Sequence, residues 1–374
     1  MSRPLSSPLR QMCTACRRTQ LSQQFPAPNT PSPGKPTFKR HKSTTKRPAP
    51  AKSAAEAALS LLETFKDVTR KETQILDGNQ LRKLSLTLGR RELHPRLDIS
   101  TRAPGVGTVV PPGYHLVYFT PGETEDNLGE DGSDLTFNAP YPFTRRMWAG
   151  GRMKWMNSSE GDGVALRVGD EVEERTRLLN ATPKMSRSGD GMVLVEVEKE
   201  FWGPRGLALV DERSWIFRPK PKSGEEMPEA KKSLRKAVIQ GPSTVKDVPQ
   251  NGGYPLRHLR WSPTGLFRFS ALTFNGHKIH YDPTWTTVVE RHPACVVHGP
   301  LNLISMLDYW RDHCASGGRK VQAIDYRAEA PVYAGETYEI SAGGAEEMAG
   351  SDGSVWEVLV TKKFKTCMKA NIWG

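Results

Sequence analysis

The stretch Phe269-Ser-Ala-Leu-Thr-Phe-Asn275-Gly-His277-Lys-Ile-His280-Tyr-Asp282 gathers hydrogen-bonding side chains at what reads as a strand-to-helix turn. Leu266 to Phe274 is strand-like, and Pro283 to Arg291 reads as a short helix with its proline in the first turn, where proline is tolerated. Polar groups at such a junction are well placed to line a cleft. Downstream, Cys295-Val-Val-His298-Gly299-Pro300-Leu301 opens a longer helix, Pro300 to His313, with Leu303, Ile304, Leu307 and Trp310 at core spacing. Strands are expected over Lys320–Ala328, Glu336–Ala342 and Val355–Ile372, the last alternating through Trp356, Val358, Val360 and Phe364. A central helix followed by long antiparallel strands predicts an α+β unit in which a curved sheet wraps a helix.

The chemistry of this stretch suits hydration and dehydration beside a thioester. In the dehydration direction a base removes the α-proton, an acid protonates the departing β-hydroxyl, and the thioester oxygen takes up enolate-like charge. A histidine can hold the proton in both directions. Backbone N–H groups at a helix start stabilise negative charge on an oxygen. No metal or redox cofactor is required. Taken singly, each residue also fits a structural role: His277, His280 and His298 as structural histidines, and Asp282 as the cap of the helix at Pro283. His277 and His280 could be metal ligands, but nothing completes a site at ligand spacing.

Outward from that stretch, the first half has a helical start and then turns to strands. Ala54 to Lys66 reads as a helix with Leu59, Leu62 and Phe65 on one side, and Asn79 to Leu88 resumes helical spacing after Asp77-Gly78. His115 to Phe119 is a short apolar run, and Arg146 to Met156 mixes aromatics and Met around Gly150-Gly151. Gly191 to Trp202 is the clearest strand, with Val193, Val195, Val197 and Phe201 on one face and Glu196, Glu198 and Glu200 on the other. Leu207 to Arg218 is a further strand, or a pair broken near Asp211. Residues 219–253 are rich in Lys, Pro and Gly and read as an exposed linker. The domain pattern is a leader (1–55), a first unit (56–218), this linker, and a second unit (254–374) that carries the polar stretch.

The formal charge of +12 invites a nucleic-acid reading, so its position along the 374 residues decides the matter. Residues 1–55 hold 11 of the 53 Lys and Arg and no Asp or Glu, which leaves 42 basic residues against 41 acidic ones. The excess lies in the leader, and a nucleic-acid partner is not expected. An acid-free leader rich in Arg, Ser and Pro fits a mitochondrial transit peptide, with a disordered basic tail as the alternative. No stretch approaches the roughly 20 apolar residues of a membrane span. Cys13 and Cys16 form a lone CxxC in the leader with no second pair, and Cys295, Cys314 and Cys367 read as reduced core residues.

The segment Ser270 to Asp282, with His298-Gly-Pro-Leu downstream, resembles the MaoC-like hydratase/dehydratase family, in which an Asp-x-Asn-Pro-x-His loop precedes a helix and a His-Gly pair begins the central hot-dog helix. The closest resemblance is to double hot-dog members, the mitochondrial type 2 hydroxyacyl-thioester dehydratases and the mesaconyl-CoA hydratases, which also carry Arg-Arg-Met-Trp-Ala-Gly-Gly, here Arg145 to Gly151, and an Asp-Glu-Arg run, here Asp211 to Arg213. It spans roughly residues 75 to 374, linker excluded. The resemblance implies two fused hot-dog units, His280 as the catalytic histidine, and the Gly299 N–H, with His298 beside it, at the thioester oxygen. One departure matters: the family's Asp is Asn275 here, and its Asn is His277. Asn275 orients but takes no proton, so His280 carries the main acid–base role, with His277 as a candidate second proton carrier and Asp282 as support.

The first unit lacks a matching loop and is expected to shape the acyl tunnel, with Gly150-Gly151 allowing close backbone approach or simple packing. The implied activity is a (3R)-hydroxyacyl-thioester dehydratase of mitochondrial fatty-acid synthesis, acting on chains held by acyl carrier protein or CoA. The alternatives are a hydratase of small branched or dicarboxylic CoA thioesters and a non-catalytic thioester-binding scaffold. Lys362, Lys363 and Lys365 could meet CoA phosphates or an acidic carrier, or form a solvated strand face. A homodimer of double hot-dogs is compatible with these readings.

Overall fold

The computed structural model describes residues 49–156, 163–186, 189–220, 241–315, 318–347 and 353–374. Cys13, Cys16 and most of the expected leader lie outside them, as does most of the expected linker.

The strands pair antiparallel into a 12-stranded sheet. The first half supplies β1 (Thr69–Ile75), β2 (Arg145–Trp155), β3 (Glu171–Met185), β4 (Gly191–Gly203) and β5 (Gly206–Arg218). The second supplies β6 (Thr244–Val248), β7 (Leu256–Arg260), β8 (Ala323–Ala328), β9 (Thr337–Ala342), β10 (Glu346–Glu347), β11 (Ser354–Lys362) and β12 (Lys365–Trp373). The order is β1-β3-β4-β5-β2-β8-β12-β11-β9-β7-β6, with β10 attached to β11. Read outward from the β2–β8 seam, where Gly151 faces Tyr326, both halves repeat one connectivity: β5-β4-β3-β1 on one side and β12-β11-β9-β7 on the other. That repeat is two hot-dog units joined edge to edge.

The helices break the symmetry. In the second half, α4 (Gly299–His313) buries every residue from Leu301 to Trp310 and lies over β9 and β11. At the corresponding place, ahead of β2, the first half has a 3-10 turn over Tyr114–Val117, itself fully buried. The expected short strand at His115–Phe119 is therefore a correction. Gly113 sits at φ 82 just before the turn, and a Cβ there would come 2.8 Å from Leu307. The chain must tighten there because α4 of the other half already fills the space.

Other departures have local causes. Leu266 to Phe274 is not a strand. Ser262 caps α3 (Pro263–Leu272) by accepting from the Gly265 N–H, and Pro263 opens the helix. Its buried residues Leu266, Phe269 and Ser270 follow helical spacing rather than alternation. In α1 (Ala54–Thr64), Ala57, Ala58 and Leu61 form the buried face, while Leu59 and Leu62 are exposed. That face shares a core with Val193, Val195, Val197 and Phe217.

Val355 to Ile372 is a hairpin rather than one strand. Lys363 and Phe364 turn it at φ 47 and 63, which leaves Phe364 fully exposed. Pro283 to Arg291 contains a single wide turn, Trp285–Val289, and β5 runs unbroken through Asp211. Residues 244–248, expected in the linker, pair with β7 as β6. β3 escaped notice because its inward face carries Val172, Glu174 and Thr176, too polar to announce a buried strand. Helix α2 (Gly78–Thr87) follows the expected spacing, with Asp77 accepting from the Gln80 N–H.

Candidate functional site

Helix α3 ends at Thr273, and Phe274 leaves it at φ 46. The Asn275 N–H donates to the Ser270 carbonyl at 2.8 Å, and the Asn275 side-chain oxygen accepts from the His277 N–H at 3.0 Å. Asn275 thus shapes the turn that presents both histidines. Lys278–His280 forms a single 3-10 turn, and Asp282 accepts from the Trp285 N–H at 3.0 Å. Asp282 is a cap, as its position before a helical segment suggested.

The turn is stapled to the segment leading into α4. The Val296 N–H donates to the Ile279 carbonyl, and the His280 Nδ1 lies 2.8 Å from the Val296 carbonyl oxygen. A carbonyl only accepts, so Nδ1 carries the proton and Nε2 carries the lone pair. His298, the residue before α4, stacks beneath the ring of His280 with centroids 3.6 Å apart and planes 17° apart. Its Nε2 lies 2.8 Å from the Ser270 hydroxyl. His277 meets His280 edge to face at 5.3 Å.

Burial sets the charge state of all three rings. It pushes His280 down to about 4, against the Val296 hydrogen bond, with Arg146 and His292 pushing the same way as burial. Burial also holds His277 and His298 well below the usual histidine range, and each is lowered further by His280. At neutral pH the cluster is therefore uncharged, and His280 is a base with a free lone pair.

The start of α4 lies against the first half. A Cβ on Gly299 would sit 2.8 to 3.0 Å from three atoms of Trp148, so only glycine lets the helix N-terminus approach that indole. Trp148, on β2, stacks on Tyr326 with planes 14° apart. Gly150 and Gly151 serve packing across the β2–β8 seam, since Cβ atoms there would meet the Tyr326 carbonyl oxygen at 2.5 Å and the Tyr326 hydroxyl at 2.7 Å.

The first half does more than shape a wall. Its Arg145 pairs with Glu290 at 2.5 Å, and Arg146 pairs with Asp134 at 2.9 Å. Asp131 reaches His277, with Oδ2 3.3 Å from Nε2. A cleft of about 1910 Å³ runs between the halves, lined by His277, His280, His298, Gly299, Arg146 and Trp148 among others.

Sequence reasoning gathered Asn275, His277, His280, His298 and Gly299, and the structure brings them to this one cleft. It passed over Asp131, Arg146 and Trp148 as individual residues. The last two lie in the quoted Arg145–Gly151 motif, whereas Asp131 sits in a Gly-rich loop with no pattern to mark it. Lys362 is tied to Glu336 at 2.8 Å, which favours the strand-face reading of that basic cluster. Cys295, Cys314 and Cys367 are free and buried, as expected.

The family model for hydroxyacyl-thioester dehydratase type 2 matches residues 113–334. Mesaconyl-C(4)-CoA hydratase of Chloroflexus aurantiacus is 29% identical over 239 residues, 63% of this chain and 76% of that protein. The mitochondrial hydroxyacyl-thioester dehydratase type 2 of Schizosaccharomyces pombe is 26% identical over 256 residues, 62% of this chain and 77% of that protein. Among solved structures, a MaoC-like dehydratase superposes with TM-score 0.56 at 14% identity, covering 83% of this chain and 98% of its own. Another, from Phytophthora capsici, gives 0.51 at 15% identity, covering 82% and 94%. At those identities the structural matches speak to the fold. With the family model spanning more than half of the chain, the protein belongs to the hydroxyacyl-thioester dehydratase type 2 family, double hot-dog hydro-lyases of the MaoC-like kind that act on acyl thioesters.

Proposed function

We propose that the chain interconverts a 3-hydroxyacyl thioester and its trans-2-enoyl thioester, with His280 as the acid–base residue. The observation that carries this reading is the pinned tautomer of His280: Nδ1–H is held by the Val296 carbonyl, leaving a neutral Nε2 beside the start of α4. In the hydration direction Nε2 takes a proton from water as the oxygen bonds to the β-carbon. The π electrons move onto the thioester oxygen, where the Gly299 N–H stabilises the charge. The imidazolium then returns the proton to the α-carbon. Dehydration reverses these steps. Asn275 holds the turn, and His298 supports His280 from below by stacking.

A pH profile follows from the lowered His280. A base works in its neutral form, which is present above its pKa and lost as pH falls through about 4. Hydration of crotonyl-CoA should therefore run at constant kcat between about pH 6 and 8, and decline only in the acid range. Initial rates with parallel circular dichroism would check this. A decline already between about pH 7 and 6 would point to a different titrating base.

The basic, acid-free leader and the mitochondrial relative in S. pombe support a mitochondrial enzyme using acyl carrier protein. Removing residues 1–55 from a fluorescent fusion is expected to abolish import, and normal import would overturn the localisation.

One feature favours a second reading, a CoA hydratase of small polar acyl groups. The cleft wall in the first half carries Glu174, Thr176, Lys199 and Arg213, and Glu174 and Lys199 form a buried ion pair at 2.7 Å. A long alkyl chain against such a pair would leave charges poorly solvated. Comparing kcat/KM for octenoyl-carrier protein and for an enoyl-CoA bearing a terminal carboxylate separates the two: preference for the first supports fatty-acid synthesis, and preference for the second supports the polar-acyl enzyme.

A further inference from the structure

The family's loop aspartate is missing, yet a buried carboxylate stands behind His277, one of the residues that line the cleft. Asp131 comes from the other hot-dog unit, in the loop 128–133 before β2. Its Oδ1 accepts from the Ser133 N–H at 3.0 Å and from the Ser133 hydroxyl at 2.7 Å. Its backbone carbonyl accepts from the Lys278 N–H at 2.8 Å, and the Lys278 ammonium donates to the Glu130 carbonyl at 2.8 Å. Gly132 and Gly276 lie so close that a Cβ on Gly132 would fall 2.1 Å from the Gly276 carbonyl oxygen. The two loops are locked backbone to backbone, one from each half.

That lock leaves one atom unaccounted for. Asp131 Oδ2 is fully buried and has no hydrogen-bond partner among the described residues, while His277 Nε2 stands 3.3 Å away. A buried carboxylate oxygen without a donor is costly, and a small rotation of either side chain closes the bond. Satisfying Oδ2 requires the proton of His277 to sit on Nε2. The lone pair of His277 is then on Nδ1, at the other edge of the ring.

We propose that Asp131 is a positioning residue: it holds His277 in the Nε2–H tautomer, so that His277 Nδ1 and His280 Nε2 together accept both hydrogens of the water molecule. This inference rests on the hydratase/dehydratase reading of the same cleft. With both hydrogens engaged, the oxygen lone pair of the water points at the β-carbon. One hydrogen transfers to His280 as the C–O bond forms, and the other stays on the new hydroxyl, hydrogen-bonded to His277. The same two acceptors orient the β-hydroxyl before dehydration. The carboxylate that the loop lost is thus supplied by the neighbouring unit, acting through a histidine that stands where the family has asparagine.

Asp131→Asn tests this with little steric change. The oxygen held by Ser133 is retained, so the new NH2 faces His277 and drives its proton to Nδ1. The expected result is a fall in kcat on the order of 10²-fold, with KM changed less than about threefold. Ser133→Ala, which loosens the same turn without touching Oδ2, should leave kcat within about threefold of the wild type.

The readout independent of activity is the 15N spectrum of histidine-labelled protein, with the His277 signals assigned by their loss in His277→Gln. Wild type should show Nε2–H, and Asp131→Asn should show Nδ1–H. An Nδ1–H tautomer in the wild type, or a normal kcat in Asp131→Asn, overturns the proposal. The wild-type spectrum alone decides it if the variant fails to fold. An enzyme inactive on every enoyl thioester but showing the Nε2–H signal would instead sink the activity reading and leave the Asp131–His277 pairing standing.

Discussion

His280→Ala is expected to lower kcat for crotonyl-CoA hydration by about 10²- to 10⁴-fold, the range in which a positioned acid–base group contributes. Its neighbours are held in other roles. His298 lies beneath the ring, with one nitrogen at the Ser270 hydroxyl and the other buried. His277 reaches across to Asp131, and Asn275 takes no proton and spends its oxygen on the His277 N–H. The imidazole is held at one edge by Val296 and at one face by His298, so its loss also removes packing, and circular dichroism must accompany the rates. Equal turnover by the folded variant would remove His280 from the mechanism.

The second large effect is expected at Gly299. Alanine is well tolerated in the first turn of a helix, so Gly299→Ala should leave α4 intact. Its methyl group, however, would sit 2.8 Å from Cγ of Trp148, with Cδ1 and Cβ of the same residue at 2.9 and 3.0 Å. Trp148 is itself stacked on Tyr326 and lies under the guanidinium of Arg213 at 5.8 Å, so it yields little. The helix N-terminus must move instead, and with it the N–H proposed to hold the thioester oxygen. Loss of one such donor costs about 10²- to 10³-fold in kcat. Gly299→Ala should thus lose kcat on that scale with a KM within a few-fold of wild type. If kcat holds while only the melting temperature falls, the close approach is packing and the oxygen is held elsewhere.

The second unit was the more legible half because its signals are local. Helix α4 has an apolar pattern that needs no partner to be recognised, and the strand face Trp356, Val358 and Val360 alternates as a half-buried strand must. The same alternation misled at Phe364, because a two-residue turn with positive φ reverses the chain there, and neither Lys363 nor Phe364 is a usual turn residue. At Leu266–Phe274 a short apolar run fits either period, and the cap at Ser262 decided for helix.

The first unit was harder to read. In place of a long central helix it has a four-residue turn, and its inner sheet face carries Glu174, Thr176 and Asp211. Polar residues inside a sheet look like surface until something is seen to cover them.

By itself the sequence gathered the residue proposed as acid–base, the turn that carries it and the helix start beside it, because all three lie within one short stretch and owe their geometry to neighbours in the chain. It also located the excess positive charge in residues 1–55. What only the tertiary structure decided is what surrounds that stretch: Trp148 against Gly299, Arg146 near His280, and Asp131 against His277. These contacts join residues more than a hundred positions apart across the seam between the units. No periodicity or spacing records such a contact, since it arises from the fit of two folded surfaces rather than from the chain's own local preferences.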